Sequence, residues 1–311
     1  MSKSRKRRLR SLFPARDFIE FTLVRLVMAL LNLFPISVST WLARRIGTAA
    51  FLIMASRRKI AFNNLAIAFG NSKSNAERKR IVLESFCHLA TCLMEFFRLP
   101  GSVEKVRQHV RMKGAEYLKR AFARKKGVVL VMSHLGPWEY LGFLTYITRY
   151  STVVLGRPIR NFYFYRWIKS LRKAVNLDYS DKRLGPRRLL SELRKNHLVA
   201  ITIDQWAGNE GLWIDFFGRP TSTTSLPARM AKRTGCALIP AYCIRVASGE
   251  YVVSILPEVS IADTDKRDDW VENMTKQLNS LLEEQICSFP EQWLWTHKRW
   301  KGNRNKKGRA G

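Results

Sequence analysis

The sequence predicts an α/β fold: a mixed, partly parallel central sheet flanked by helices, preceded by an apolar, membrane-associated helical segment. Three observations carry this. Short β-branched runs alternate with helical stretches from Gly127 to Leu256, the pattern of a sheet built from crossover units. Two apolar stretches, Phe18–Phe34 and Ile36–Met54, come before that region. Apolar residues make up 46% of 311, the ordinary fraction for a chain with a real core.

Residues 1–17 form a basic arm that begins MSKSRKRRLR. It is too charged to pack and is expected to be mobile. Residues 18–59 are expected to hold the membrane-associated helices. Glu20 and Arg25 interrupt the first apolar stretch, Arg44 and Arg45 the second, and Arg57, Arg58 and Lys59 follow. Basic residues on both sides leave the positive-inside rule nothing to orient. A single span needs about 20 apolar residues. A helix lying in the interface of an anionic membrane fits the pattern as well, and so does a helical cap over the core. No small-residue cleavage site follows, which argues against a removable signal peptide.

Residues 60–300 are read as the main domain and 301–311 as a second basic tail. Residues 60–126 read as helices: Phe86, Leu89, Leu93, Phe96 and Phe97 recur at helical spacing, and Pro100-Gly101 closes that helix. His88 on this stretch reads as a packed or surface histidine. Strands are expected at Gly127–Met132, Ser151–Leu155, Ala174–Tyr179, Leu198–Ile203, Leu238–Val246 and Tyr251–Leu256. Helices are expected over Gly185–Asn196, Ser225–Thr234 and 268–286, with a long loop rich in Gly and Trp after Asp204-Gln205. The Trp-rich end, WLWTHKRW, suits a membrane interface or a cover over the site.

The charge balance narrows the partners. Lys and Arg number 55 against 24 Asp and Glu, a net +31, which favours nucleic acid, anionic lipid or an acidic protein. No nucleic-acid reading motif accompanies the charge, so nucleic acid is not an expected partner. Five cysteines with no CxxC spacing suggest neither a disulfide framework nor a zinc site; all five read as buried small apolar residues. Neither a P-loop nor a GxGxxG is present, and no ligand cluster has metal spacing, so no cofactor or metal is expected.

The chemistry centres on GVVLVMSHLGPWE, residues 127–139. A β-branched run ends in Ser133-His134, beyond the carboxyl end of a strand, where open sheets bind ligands. Gly136-Pro137 forbids a continuous helix, so His134 is expected in a loop and Glu139 in the first helical turn, where the two converge. A carboxylate on one imidazole nitrogen fixes the tautomer and frees the other nitrogen to take a proton. The residues alone leave His134 as either a base or a structural histidine. Asp204-Gln205 ends a second apolar run, and Arg157 and Arg172 are candidates for binding an anion.

The stretches SHLGPWE, GRPIRN, DQWAGNEGLWIDFFGRPTSTTSLPARMAKRTG and QWLWTHKRWK, with RRKIAFNNLAIAFG before them, resemble the lipid A biosynthesis acyltransferase family over roughly residues 18–300. That family falls within the H-x4-D/E glycerolipid acyltransferases. The resemblance implies an enzyme that moves a fatty acyl chain from an acyl carrier protein (or CoA) thioester to a hydroxyl of an anionic membrane glycolipid. It implies the cytoplasmic face of the inner membrane and no cofactor beyond the thioester co-substrate. It assigns His134 as general base and Glu139 as its orienting partner. Arg172 and Asp204 match functional positions, Gln205 belongs to the same D-Q block, and Arg157 matches the R-P-x-x-N motif. Pro137 departs from the usual motif, which leaves other membrane lipids open as acceptors. A non-enzymatic basic protein binding membrane or nucleic acid is the remaining alternative.

Overall fold

The computed structural model describes residues 14–302, except 99–107, 143–147, 149, 157–158, 174–176, 182–184 and 262–268. Most of the basic arm, the Pro100-Gly101 helix stop, Arg157 and most of the basic tail lie outside the described residues.

Nine strands are described: β1 (Val110–Lys113), β2 (Val128–Met132), β3 (Thr152–Gly156), β4 (Leu177–Asp181), β5 (Leu198–Thr202), β6 (Leu212–Phe216), β7 (Arg219–Thr223), β8 (Ala237–Ala247) and β9 (Glu250–Ile255). Seven of them form one sheet in the order β1-β9-β8-β2-β5-β3-β4. Every pairing in it is parallel except the β8–β9 hairpin. The helices are α1 (Pro14–Asn32), α2 (Ile36–Ile53), α3 (Ala55–Phe69), α4 (Asn75–Arg98), α5 (Ala115–Ala123), α6 (Phe162–Lys173), α7 (Gly185–Arg194), α8 (Leu226–Thr234) and α9 (Asp269–Ser288). The architecture is the expected mixed, partly parallel sheet flanked by helices.

Why the central strands are continuous apolar runs follows from their place. All five residues of β2 are buried, because both faces of the sheet are covered. Val129, Val131, Val199 and Ile201 face one core, shared with Met274, Leu278 and Leu282 of α9. Val128, Leu130, Met132, Leu198 and Ala200 face the other, shared with Leu118 and Phe122 of α5. Each fully buried Val, Leu or Ile contributes about 1.5–3 kcal/mol, so these two strands anchor the domain.

Two features depart from the sequence reading. Strand β1 falls inside the stretch read as helical. Its four residues, VRMK, alternate half-buried and exposed on the sheet's edge beside β9. Strands β6 and β7 form a separate antiparallel hairpin where a loop was expected. Phe217 and Gly218 make its turn with φ of 53° and 65°, the positive-φ pair of a two-residue hairpin. Phe217 is a rare residue for that geometry. Glu283 of α9 holds it by accepting from the Phe217 N–H at 2.8 Å. No described helix is long and apolar enough to cross a membrane.

Helices α1 and α2 nevertheless carry much exposed apolar surface: Phe18, Ile19, Leu23, Leu26 and Leu30 on one, Trp41, Leu52 and Ile53 on the other. Helix α2 lies tight on α4 through Gly47, where a Cβ would fall 2.4 Å from Cys87 Cα. A methyl there must push two helices apart. Gly47→Ala is therefore expected to lower unfolding free energy by about 1–3 kcal/mol, read from the denaturant midpoint.

Candidate active site

Strands β2 and β5 are neighbours and run parallel in phase, with Met132 opposite Thr202. The Ile203 N–H donates to the Met132 carbonyl at 3.0 Å, which carries the pairing one residue past the strands. From there the chain runs outward from β2 to β3 and from β5 back towards β8, on opposite sides. This is the topological switch point at which open α/β sheets form their binding crevice. Two residues past the last paired positions, His134 and Asp204 emerge side by side.

Asp204 grips His134 twice. Its Oδ1 stands 2.8 Å from Nδ1 of the imidazole, and its Oδ2 accepts the His134 backbone N–H at 2.8 Å. The Trp293 indole N–H donates to the same Oδ2 at 3.1 Å. This puts the proton on Nδ1 and leaves Nε2 with its lone pair toward a cavity. Gln205 Nε2 stands 3.4 Å from that nitrogen, a loose contact that a hydroxyl can displace. Burial alone would push the Asp204 carboxyl up, but the charge on His134, its hydrogen bonds and Trp293 pull it down to about 2. For His134, burial opposes protonation, while the charge and hydrogen bond of Asp204, with a smaller contribution from Glu139, raise it above its ordinary value.

Glu139 is not the orienting partner of His134. It lies on a 3₁₀ turn, Trp138–Gly142, and its carboxylate takes Arg172 of α6 at 2.5 Å from Nη2 and 3.3 Å from Nε. The reason is local. Gly136 has φ of +64°, and a Cβ there would meet the Cys243 carbonyl at 1.7 Å. The loop turns hard against β8 and carries Glu139 to the cavity wall, where the last turn of α6 presents Arg172. Asn161 of the GRPIRN stretch starts that helix, its side-chain oxygen accepting the N–H groups of Tyr163 and Phe164 at 3.0 and 3.2 Å.

The cavity holds about 250 Å³. His134, Gln205, Glu139 and Arg172 mark its polar side, and Leu130, Met132, Val154 and Ala200 line it along one face of the sheet. At about 3.3 Å per residue, the wall from Leu130 to His134 is roughly 13 Å long. Trp138 meets the His134 ring edge-on, centroids 5.0 Å apart. Among the described residues no group of His, Cys, Asp and Glu is placed to hold a metal ion.

The family model described as "Bacterial lipid A biosynthesis acyltransferase" matches residues 5–302. The chain belongs to that family. It is similar to the lipid A biosynthesis palmitoleoyltransferase of Escherichia coli, 27% identical over 86% of each chain. The lipid A biosynthesis lauroyltransferase of the same organism is 25% identical, over 82% of this chain and 83% of the relative. The phosphatidylinositol mannoside acyltransferase of Mycobacterium tuberculosis is 27% identical, over 70% and 69%.

In this acyltransferase the C-terminal segment does work that the sequence reading left open. Of the two expectations for the Trp-rich stretch, a membrane interface or a cover over the site, the structure favours packing at the site: Trp293 and Trp295 are buried in the core and the segment lies against the His134 loop. Leu135 and Trp293 form an antiparallel bridge. The Leu294 N–H donates to the His134 carbonyl at 3.2 Å, and the Gly136 N–H to the Gln292 carbonyl at 2.9 Å. Behind the same loop lies a buried polar cluster. Arg245 of β8 pairs with Glu95 and contacts His88 Nδ1 at 2.8 Å, and the hydroxyl of Tyr251 donates to Glu95 at 2.8 Å. His88 is thus packed and partnered. Four of the cysteines are buried as expected, whereas Cys287 is exposed.

Two outcomes follow for this acyltransferase. Asp204 holds His134 above its ordinary 6.5, so Asp204→Asn should move the His134 titration to lower pH, as read by imidazole NMR. The linked stability has two windows. The raised His134 contributes below 6.5 and is lost as pH rises through its folded value. The depressed Asp204 contributes above 3.8 and is lost as pH falls through about 2. The pair therefore supports the fold most between 3.8 and 6.5, and in Asp204→Asn stability should depend less on pH on both sides of that range.

Proposed function

We propose that this chain transfers a fatty acyl group from a thioester donor to a hydroxyl of a membrane glycolipid, with His134 as general base. One observation carries the reading: an imidazole fixed by Asp204 leaves Nε2 open to a cavity with apolar walls. An acceptor hydroxyl titrates far above neutral pH, so a base must take its proton as it attacks. In the proposed reaction Nε2 accepts that proton while the oxygen bonds to the thioester carbonyl carbon. The tetrahedral intermediate collapses, the C–S bond breaks, and the imidazolium returns the proton to the leaving thiolate. The Asp204 carboxylate stabilises the transient imidazolium.

The other site residues take distinct roles in this scheme. Arg172, held by Glu139, offers a cation at the cavity wall for the oxyanion or for a phosphate of either substrate. Gln205 gives an amide beside Nε2. The cavity along Leu130, Met132, Val154 and Ala200 accepts the hydrocarbon of the donor. Glycolipid is the acceptor class suggested by relatives named for lipid A and for phosphatidylinositol mannoside. An acyl carrier protein is the donor best matched to a +31 chain; a CoA thioester is the alternative.

Membrane attachment falls to α1 and α2. Their exposed apolar side chains stand among Arg16, Arg25, Arg45, Arg57 and Arg58, the pairing that binds an anionic bilayer without crossing it. Helix α1 rests on α6, with Phe21 against Tyr163, Phe164 and Trp167 and the Arg25 guanidinium 4.8 Å from the Trp167 ring centroid. Helix α6 also carries Arg172, so the surface meant for the inner membrane's cytoplasmic face adjoins the cavity.

His134→Ala is expected to lower acyl transfer about 10²–10⁴-fold while vesicle binding is unchanged; turnover at the normal rate sinks the base assignment. Because His134 must be neutral to act, kcat/KM should fall on the acid side with a midpoint above 6.5. Charge placed on the apolar face, as in Leu26→Glu with Leu30→Glu, should weaken binding to anionic vesicles and leave the His134 titration alone. Mass spectrometry of lipids from cells with and without the protein would identify the acceptor and the chain length.

A further inference from the structure

We infer that Arg299 is a positioning residue of this site, holding the Asp204-Gln205 turn in register with His134. Arg299 lies in the C-terminal segment after Trp293 and is fully buried. Its Nη1 donates to the Gln205 carbonyl at 3.1 Å and to the Ser222 carbonyl at 2.8 Å. Its Nη2 donates to the Thr223 hydroxyl at 2.7 Å. The Phe216 ring lies under the guanidinium, 4.8 Å away. The segment is locked in turn by the Thr221 hydroxyl, which donates to the Arg299 carbonyl at 2.7 Å.

Such a side chain needs a reason to be there. Among the described residues no carboxylate touches Arg299, and its Nε is buried with no hydrogen-bond partner. An interior cation without a contacting anion is costly, and an apolar residue packed on Phe216 would fill the same space more cheaply. The planar fork does what an apolar residue cannot. Its Nη1 ties the Gln205 backbone to Ser222 of β7, and Nη2 of the same rigid group holds Thr223. Gln205 follows Asp204 directly, so the tie fixes the carboxylate that orients His134 and the amide beside Nε2.

The charge acts at the same place. The acids whose fields reach Arg299 are Asp204 and, from α9, Glu283. Around His134 stand Asp204 after β5 and Glu139 on the 3₁₀ turn, with Arg172 of α6 paired to Glu139. Trp138, Trp293 and Gln205 complete the surroundings without charge. Arg299 is therefore a cation within the field of the Asp204 carboxylate that grips His134. It offsets part of the negative charge that the imidazole feels.

The activity arm of the test rests on His134 being the base; the titration arm does not. Imidazole NMR titration of His134, kcat, KM for an acyl carrier protein thioester, and the melting midpoint would be measured on the full chain in anionic lipid nanodiscs. In Arg299→Met the His134 midpoint should move to higher pH, because the offsetting cation is gone. Turnover should fall on the order of 10²-fold with KM within about threefold. Arg299→Lys keeps the charge and loses the fork, so its titration should stay near wild type while kcat falls. Should Arg299→Met fail to fold, Thr223→Val removes one tie with Arg299 in place, and a lower kcat at unchanged KM is expected. Wild-type titration and kcat in a folded Arg299→Met, or unchanged kcat in Thr223→Val, overturns the inference. A His134→Ala variant that turns over normally overturns the base reading alone and leaves the titration result standing.

Discussion

The site depends on the in-phase parallel pairing of β2 with β5. Parallel strands hold equivalent positions at a constant offset, so pairing Met132 with Thr202 commits residue 134 to lie beside residue 204. Neither residue needs a loop of special shape to find the other; the sheet delivers both. That explains how a charged and a titratable group survive together in a crevice where both lose solvent. Each is the other's compensation, and Trp293 satisfies the carboxylate oxygen shared with the backbone.

The rest of the surroundings keep that pairing from being spoiled. The loop after His134 must clear β8, and only a glycine at 136 lets it pass the Cys243 carbonyl. The C-terminal segment then clasps both sides of the crevice. Gln292 and Leu294 hold the backbone on the β2 side, while Trp293 and Arg299 hold the β5 side. The C-terminal segment thus completes a site whose His134 and Asp204 come from the middle of the chain. Burying the two tryptophans supplies the apolar area that keeps the clasp closed.

The sequence makes the alternation of strands and helices legible, because buried parallel strands are uninterrupted β-branched runs. His134, Asp204, Gln205, Glu139 and Arg172 are all identifiable as candidates from position and motif; the structure brings four of them to one cavity, with Asp204 buried behind His134. What sequence does not carry is which acid serves the histidine. Local spacing favours Glu139, five residues on, whereas Asp204 becomes adjacent only through strand pairing. Aligning GVVLVMSH with the run ending in Asp204 would have hinted at the register. Strand β1 and the β6–β7 hairpin were hidden for related reasons. VRMK is a strand because β9 offers it an edge, and a Phe-Gly turn gives none of the usual hairpin chemistry. Trp293 and Arg299 looked like parts of an aromatic, basic terminus; their burial is a tertiary fact.

Glu139 and Arg172 form the link between the crevice and the helices with exposed apolar faces. Their ion pair is partly exposed, so its intrinsic contribution to stability is small; its value lies in where it puts the guanidinium. Glu139 is fixed by the turn that Gly136 imposes, and Arg172 by a helix capped at Asn161. The side chain of Asn161 also donates to the Asp17 carbonyl in α1 at 2.9 Å. Asn161 thus ties α1 to the start of α6, the helix whose last turn presents Arg172 at the cavity wall.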